Sequence, residues 1–389
     1  MKTSKIISVG FAMFAMLFGA GNVVFPLVLG RNVGNKFLFG LLGFCIIAVV
    51  LPLIGLVATM LCDGEYKNIL GKLGRIPGAL IALICLIVIG PFAIAPRCIT
   101  LSHAAIKMYM PQFTLFYFSI FACVLIYLCT IKKGAVVDLL GRFLGPLKLV
   151  LLCGIIVKGL FVKPDFLLVV LSDWEVFYQG LMQGAGTADL LATIFFSGLI
   201  LTGLKKGVTG PLDYKKLALM GLQAGAVGAF LLGLVYAGFC MVAAFHGQQI
   251  ALVADSDIFS VLARLILGGA GGLLANLTVA ISCLTTAIAL TTVFATYLSS
   301  ELFPDKLNYR NALIVTVLIT TVMSNLGFAG IVKIMMPIVM ALYPALLILC
   351  LVSSAQVLFG FKWIKTPFFV TLAGTLVMQY WSTLQNLFV

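Results

Sequence analysis

The chain has 389 residues, of which 62% are hydrophobic and only 10% charged, and its formal net charge is +13. A soluble domain carries about 25% charged residues, and no water-facing globule of this size could bury so much apolar surface. A soluble enzyme is therefore excluded, and the basic excess is too dispersed along apolar runs to be a nucleic-acid surface.

Eleven apolar stretches follow one another, near 6–30, 37–61, 78–107, 114–131, 143–163, 176–204, 217–245, 268–299, 311–328, 331–355 and 366–385. About 18–20 residues at about 1.5 Å rise cross the hydrocarbon of a bilayer, so each reads as a transmembrane helix. The first span starts after Lys2 and Lys5, yet its polar interruption lies inside the apolar run, so it reads as an uncleaved span rather than a signal peptide. That interruption is "FGAGN" at 18–22, with Pro26 just beyond. The third span contains "GPFAIAPR" at 90–97, which buries a cation, Arg97, whose partner the sequence does not name. His103 and Lys148 read as span-edge or packing residues.

The sixth span is interrupted by "QGAGT" at 183–187 and carries Asp189, the one carboxylate placed within it. The eighth opens on "LGGAGG" at 267–272, which lacks the Gly-Lys-Ser/Thr ending of a phosphate loop and reads as close helix packing. Only "SNLGFAG" separates the ninth span from the tenth. No loop is long enough to fold alone, so residues 1–389 form a single transmembrane domain.

With the N-terminus inside, sixteen cations fall on the cytoplasmic side: Lys2, Lys5, Lys67, Lys72, Arg75, Lys132, Lys133, Arg142, Lys205, Lys206, Lys215, Lys216, Lys306, Arg310, Lys362 and Lys365. Seven fall on the other: Arg31, Lys36, Lys107, Lys158, Lys163, Arg264 and Lys333. This bias is the positive-inside rule, and it places the N-terminus of a multi-pass protein in the cytoplasm. The ten cysteines are scattered, mostly within spans, and read as small buried hydrophobes rather than a metal or disulfide framework.

The two Gly-Ala-Gly interruptions occupy matching positions if spans one to five and six to ten are two repeats, about 5–163 and 176–355, with an extra span at 366–385. Five spans per repeat give the halves opposite orientation, the arithmetic of an inverted-topology transporter with its site at the midplane. Peptide groups left unpaired in lipid cost several kcal/mol each, so a break survives only where it is buried or lines a wet cavity. A half-helix that restarts offers N–H groups and a positive dipole end to a carboxylate. One that stops offers carbonyls to a cation or ammonium.

The segments "GFAMFAMLFGAGNVVFPLVLG" at 10–30, "GPFAIAPR", "GTADLLATIFFSGLI" at 186–200 and "SNLG" at 324–327 resemble the bacterial branched-chain amino acid:cation symporters, the BrnQ-type family. The resemblance runs from about residue 5 to 385. It implies uptake of leucine, isoleucine and valine with Na⁺ or H⁺ through a LeuT-like, all-α five-plus-five fold with spans one and six discontinuous. "GAGN" at 19–22 is similar to the LeuT-like "GLGN" break. That similarity implies substrate contacts at Gly19, Ala20 and Gly21, the carboxylate resting on the Ala20 and Gly21 amides, and a cation ligand at Asn22. "LTTAIAL" at 284–290 is similar to the stretch forming a second sodium site. It implies ligands at the Thr285 and Thr286 hydroxyls, the Ser282 carbonyl and the first-span carbonyls of Ala15 and Phe18. Neighbouring threonines in a membrane helix also bond their own preceding carbonyls, and that reading stays open.

At the second break Gly184, Gly186, Thr187 and Asp189 are the candidate substrate residues; Asp189 could instead cap its own helix. Phe18, Phe195 and Phe196 are candidate walls for an apolar side chain. The expectation is thus a secondary active importer of branched-chain amino acids, with no cofactor beyond a coupling cation. Its partners are the amino acid, the cation and the bilayer, without nucleic acid; oligomeric state and the choice between Na⁺ and H⁺ stay open. A general neutral amino acid permease is the alternative. An ion channel is weaker because neither a charged ring nor a repeated filter occurs, and a membrane enzyme would need a reactive side-chain cluster that the spans lack. BrnQ-type chains usually show twelve spans; an eleventh as the last lies outside the five-plus-five core, so the expected pocket is spared while oligomer contacts and the final topology stay open.

Overall fold

The computed structural model describes residues 3–131, 135–161, 163–205, 214–304 and 306–388; Lys2, Lys132, Lys133 and Lys206 of the charge argument lie outside them. Among the described residues all regular structure is helical. The first span is two helices, α1 (Thr3–Leu17) and α2 (Ala20–Val33). The second runs as α3 (Phe37–Cys45), a wide π turn, and α4 (Leu51–Leu61). There Pro52 has no N–H to give the Ala48 carbonyl, so the ladder widens. A short helix, α5 (Tyr66–Gly71), leads to the third span, α6 (Arg75–Ile87) and α7 (Ile94–Lys107).

The third span is bent, which hydropathy alone does not reveal. Gly90 leaves the helical region (φ −89°, ψ −121°) and Pro91 removes a donor, so Arg97 sits on a re-aimed half-helix. Spans four and five are α8 (Leu115–Ile131) and α9 (Ala135–Leu160). The sixth is again two helices, α10 (Asp173–Gly186) and α11 (Asp189–Lys205). Spans seven and eight are α12 (Tyr214–Phe245) and α13 (Ile258–Tyr297). The last three are α14 (Tyr309–Ser324), α15 (Gly327–Phe359) and α16 (Lys365–Phe388). Only Asn325 and Leu326 separate α14 from α15, so the least secure boundary in the sequence is a tight helical hairpin.

The glycines of "LGGAGG" do more than pack. Gly268 takes φ +78°, open to glycine at little cost, and reverses the chain within α13. The helical turns from Ile258 thereby fold back, and a Cβ on Gly272 would lie 2.7 Å from the Arg264 Cα. Elsewhere close approach is the glycines' purpose. A Cβ on Gly180 of α10 would overlap the Gly40 carbonyl of α3, so these helices cross backbone to backbone.

Loops expected on opposite membrane faces gather at opposite ends. At one end Arg31 pairs with Asp255 (2.6 Å), Lys36 with Asp173 (2.7 Å) and Lys107 with Asp257 (3.8 Å). At the other Lys67 pairs with Glu301 (3.1 Å) and Arg310 donates to the Tyr127 hydroxyl (3.3 Å). The wall between is apolar, with Leu38, Phe121, Leu318 and Met378 exposed as lipid-facing side chains should be.

Candidate functional site

The first break falls at Phe18 and Gly19, where the backbone turns extended (Gly19 φ −109°, ψ −162°) before α2 restarts. Asn22 stabilises the restart: its Oδ1 accepts the Gly19 N–H at 2.9 Å. Pro26 has no N–H to give the Asn22 carbonyl, so the first turn of α2 lacks one backbone bond. Ala20, Gly21 and Asn22 all lie buried in that turn. The Ala20 amide faces the Cys98 sulfur of α7.

The second break lies one residue beyond the glycines expected to make it. Gly184 and Gly186 lie in the last turn of α10, and the helix is interrupted at Thr187 and Ala188, the latter holding φ +59°. An alanine in the left-handed region costs roughly 1–2 kcal/mol and persists where the surroundings fix it. Gly184 is explained by packing, because a Cβ there would meet the Phe44 carbonyl at 2.8 Å. Gly186 lies beneath the Phe25 ring, which a Cβ would meet at 2.6 Å. Thr187 Oγ1 donates to the Gly184 carbonyl (2.8 Å) and accepts the Asp189 N–H (3.4 Å), while the Tyr343 hydroxyl of α15 accepts the Leu190 N–H (3.1 Å).

Those two oxygens take the amide groups at the start of α11, so the Asp189 carboxylate points elsewhere. It reaches across to the first break. Asn22 Nδ2 donates to Oδ1 and Oδ2 of Asp189 at 2.9 and 2.8 Å, and Tyr236 of α12 donates its O–H to Oδ2 at 2.9 Å. Asn22 Nδ2 also contacts the Tyr236 hydroxyl. Asn22, Asp189 and Tyr236 are 2%, 1% and 0% exposed. A carboxylate held only by neutral donors has no counter-ion, an expensive arrangement for its charged form in a protein interior.

Its opposite stands close by. Arg97 is fully buried; Nη1 donates to the Gly186 carbonyl (2.7 Å) and the guanidinium lies 5.4 Å from the Phe25 ring centroid. Among the described residues its Nε and Nη2 have no hydrogen-bond partner. A Cβ on Gly21 would lie 3.3 Å from Nη2, so the unpaired donor points at the first turn of α2. Among the described residues neither Arg97 nor Asp189 has an opposite charge within salt-bridge distance.

The residues named as cation ligands split. Thr285 and Thr286 both donate to the Ser282 carbonyl, at 2.8 and 3.0 Å, the local bonding that neighbouring threonines favour. Thr286 Cγ2 would lie 3.5 Å from a Cβ on Gly19, so α13 does stand beside the first break. Ala15 lies in the last turn of α1, and among the described residues no side chain donates to its carbonyl. Phe18 and Ser282 are joined instead by Lys148 of α9, whose Nζ bonds the Phe18 carbonyl (3.3 Å) and the Ser282 hydroxyl (3.1 Å). Lys148 is thus not a mere packing residue, as its place in an apolar run had suggested. His103 bonds the Phe113 carbonyl (2.8 Å) at a span edge, as expected.

The model of the family described as "Branched-chain amino acid transport protein" matches residues 2–388. The chain belongs to that family. Among its relatives are the branched-chain amino acid permease BraB of Bacillus subtilis, 28% identical over 367 residues (91% of this chain, 80% of the relative). The branched-chain amino acid transport system 3 carrier protein of Pseudomonas aeruginosa is 29% identical over 364 residues, covering 91% and 81%. Among solved structures the fold is similar to inward-facing Mhp1 (TM-score 0.64, 15% identity, 90% of this chain and 76% of that one). It is also similar to an Eremococcus coleocola manganese transporter (TM-score 0.62, 14% identity, 97% and 85%). The chain therefore has the LeuT-like five-plus-five arrangement, with the first and sixth spans broken.

In this family member sequence reasoning missed Tyr236, Tyr343, Phe25 and the position of Lys148. A phenol in the middle of an apolar span must find a hydrogen-bond partner, so Tyr236 and Tyr343 carried a usable signal. Of the proposed aromatic walls, Phe195 packs on Tyr66 (4.7 Å between centroids), whose hydroxyl bonds Glu301 at the end of the bundle, away from the breaks.

Proposed function

We propose that the chain imports leucine, isoleucine and valine by secondary active transport, the amino acid binding as a zwitterion between the two breaks. One observation carries the reading: two buried, opposite, mutually unpaired ionisable groups stand at the two breaks. Asp189 receives the substrate ammonium, with Asn22 and Tyr236 holding the carboxylate in place. The unpaired Arg97 donors, beside the Gly21 amide at the positive end of α2, receive the substrate carboxylate. Each half of the zwitterion supplies the counter-charge that the protein lacks, so burial costs less with substrate bound than without.

Phe25, Phe44 and neighbouring apolar side chains suit an aliphatic group. A hydrophobic pocket separates substrates differing by one methylene by only about 1–3 kcal/mol, so the three branched amino acids share it. Since Asn22, Arg97, Asp189 and Tyr236 are at most 2% exposed, substrate reaches them only when helices part. Opening to each membrane face in turn is alternating access. Coupling follows if a cation favours the same ordered state, because each ligand then raises the other's affinity by the same factor. The charge bias of the loops supports a cytoplasmic N-terminus.

Reconstituted protein loaded with leucine should accumulate labelled leucine by counterflow, saturably, and be inhibited by isoleucine and valine far better than by alanine or serine. Flux that does not saturate, or equal inhibition by all neutral amino acids, would overturn the reading, the latter in favour of a general permease.

A further inference from the structure

Lys148 has no part in the zwitterion site, yet the residue is only 4% exposed and its ammonium lies close to the first break. It takes the Phe18 carbonyl at 3.3 Å, just past the last turn of α1, where the helix dipole favours positive charge. It takes the Ser282 hydroxyl of α13 at 3.1 Å. Two aromatic faces complete the surroundings, Phe18 with its centroid 4.7 Å from Nζ and Phe14 at 5.9 Å. Among the described residues no carboxylate lies within salt-bridge distance. This is a built cation site, made from a helix-end carbonyl, a hydroxyl and ring faces, and the cation in it is covalently attached.

The same position bears on the sodium ligands implied by resemblance. Of the Ala15, Phe18, Ser282, Thr285 and Thr286 oxygens, the Phe18 carbonyl faces Lys148, and the Ser282 carbonyl accepts from both threonines. An alkali ion sharing the Phe18 carbonyl would sit about 4 Å from the ammonium. At an effective dielectric constant of about 20, repulsion between unit charges at that distance lowers affinity by roughly three powers of ten.

We propose that the Lys148 ammonium is the resident cation between α1 and α13, standing where a sodium ion would otherwise bind, so that transport does not require sodium there. The proposal rests on the transporter reading above and adds to it which cation orders the first break. Lys148 is a positioning residue: it holds the end of α1 against α9 and α13, and with it the turn from which α2 restarts.

The test is leucine counterflow in proteoliposomes, which needs no ion gradient, in sodium and in choline media, for the wild type and Lys148→Met. The wild type should exchange leucine equally in both media. Lys148→Met, which keeps the stem and loses the charge, should fall at least about tenfold in choline and recover with sodium. A purely structural lysine would leave a variant with no sodium response. A wild type that needs sodium, or a Lys148→Met protein equally active with and without it at whatever level, overturns the proposal. Absence of saturable counterflow by the wild type in either medium would instead remove the transporter reading itself.

Discussion

Replacing Asp189 by asparagine tests the zwitterion site with little change of shape. In the wild type one Asn22 amide group faces both carboxylate oxygens, at 2.8 and 2.9 Å, and the Tyr236 hydroxyl donates to one of them at 2.9 Å. An amide at position 189 turns one acceptor into a donor, so it meets either Asn22 Nδ2 or Tyr236 O–H donor to donor. It also removes the negative charge that receives the substrate ammonium. Hydrogen bonds to charged groups contribute about 1.5–3 kcal/mol each. Losing one to two of them in the bound state weakens leucine by about 2–4 kcal/mol, roughly 30- to 1,000-fold. The assay is equilibrium binding of labelled leucine to purified protein, with 4-methylpentanoate, which is leucine without its ammonium, as competitor. Asp189→Asn should lose leucine affinity by that factor while 4-methylpentanoate binding changes little. A well-folded Asp189→Asn that binds leucine within threefold of the wild type would refute the assignment, as would equal losses for both ligands.

Arg97→Gln should weaken leucine by at least about tenfold and leave inhibition by isoamylamine, which lacks the carboxylate, nearly unchanged. Tyr236→Phe removes one donor to the Asp189 carboxylate and should cost about 1.5–3 kcal/mol of leucine affinity, read in the same binding assay. Gly180→Ala drives a methyl group into the Gly40 carbonyl; the protein should lose about 1–3 kcal/mol of stability, seen as a lower melting temperature in detergent. By contrast Asp173→Asn breaks only an exposed pair with Lys36 and should change stability by less than about 1 kcal/mol.

What the residues alone determined is local. Apolar runs of membrane-spanning length mark eleven candidate spans, because each peptide group in lipid must be paired within its own helix. Gly19, Asn22 and Pro26 mark the first break, since a break needs backbone freedom, a side-chain acceptor and a missing donor within a few positions. Asp189 stands out because an ionisable side chain in a span is rare. The second break was legible only to within a residue: the strained position is Ala188, and its φ of +59° is imposed by the packing around it, not by a glycine.

Tertiary structure decided which polar group meets which. Asn22, Asp189 and Tyr236 come from spans one, six and seven, and no sequence spacing relates them. Arg97 was a buried cation without a partner until α7 was bent at Gly90 and aimed at the Gly186 carbonyl. Lys148 read as packing because its apolar neighbours are local, while the Phe18 carbonyl and Ser282 hydroxyl that hold it come from distant helices. Helix and break are encoded by the chemistry of a few adjacent residues. The partner of a buried charge is set by how helices far apart in the chain pack, and no local pattern carries that information.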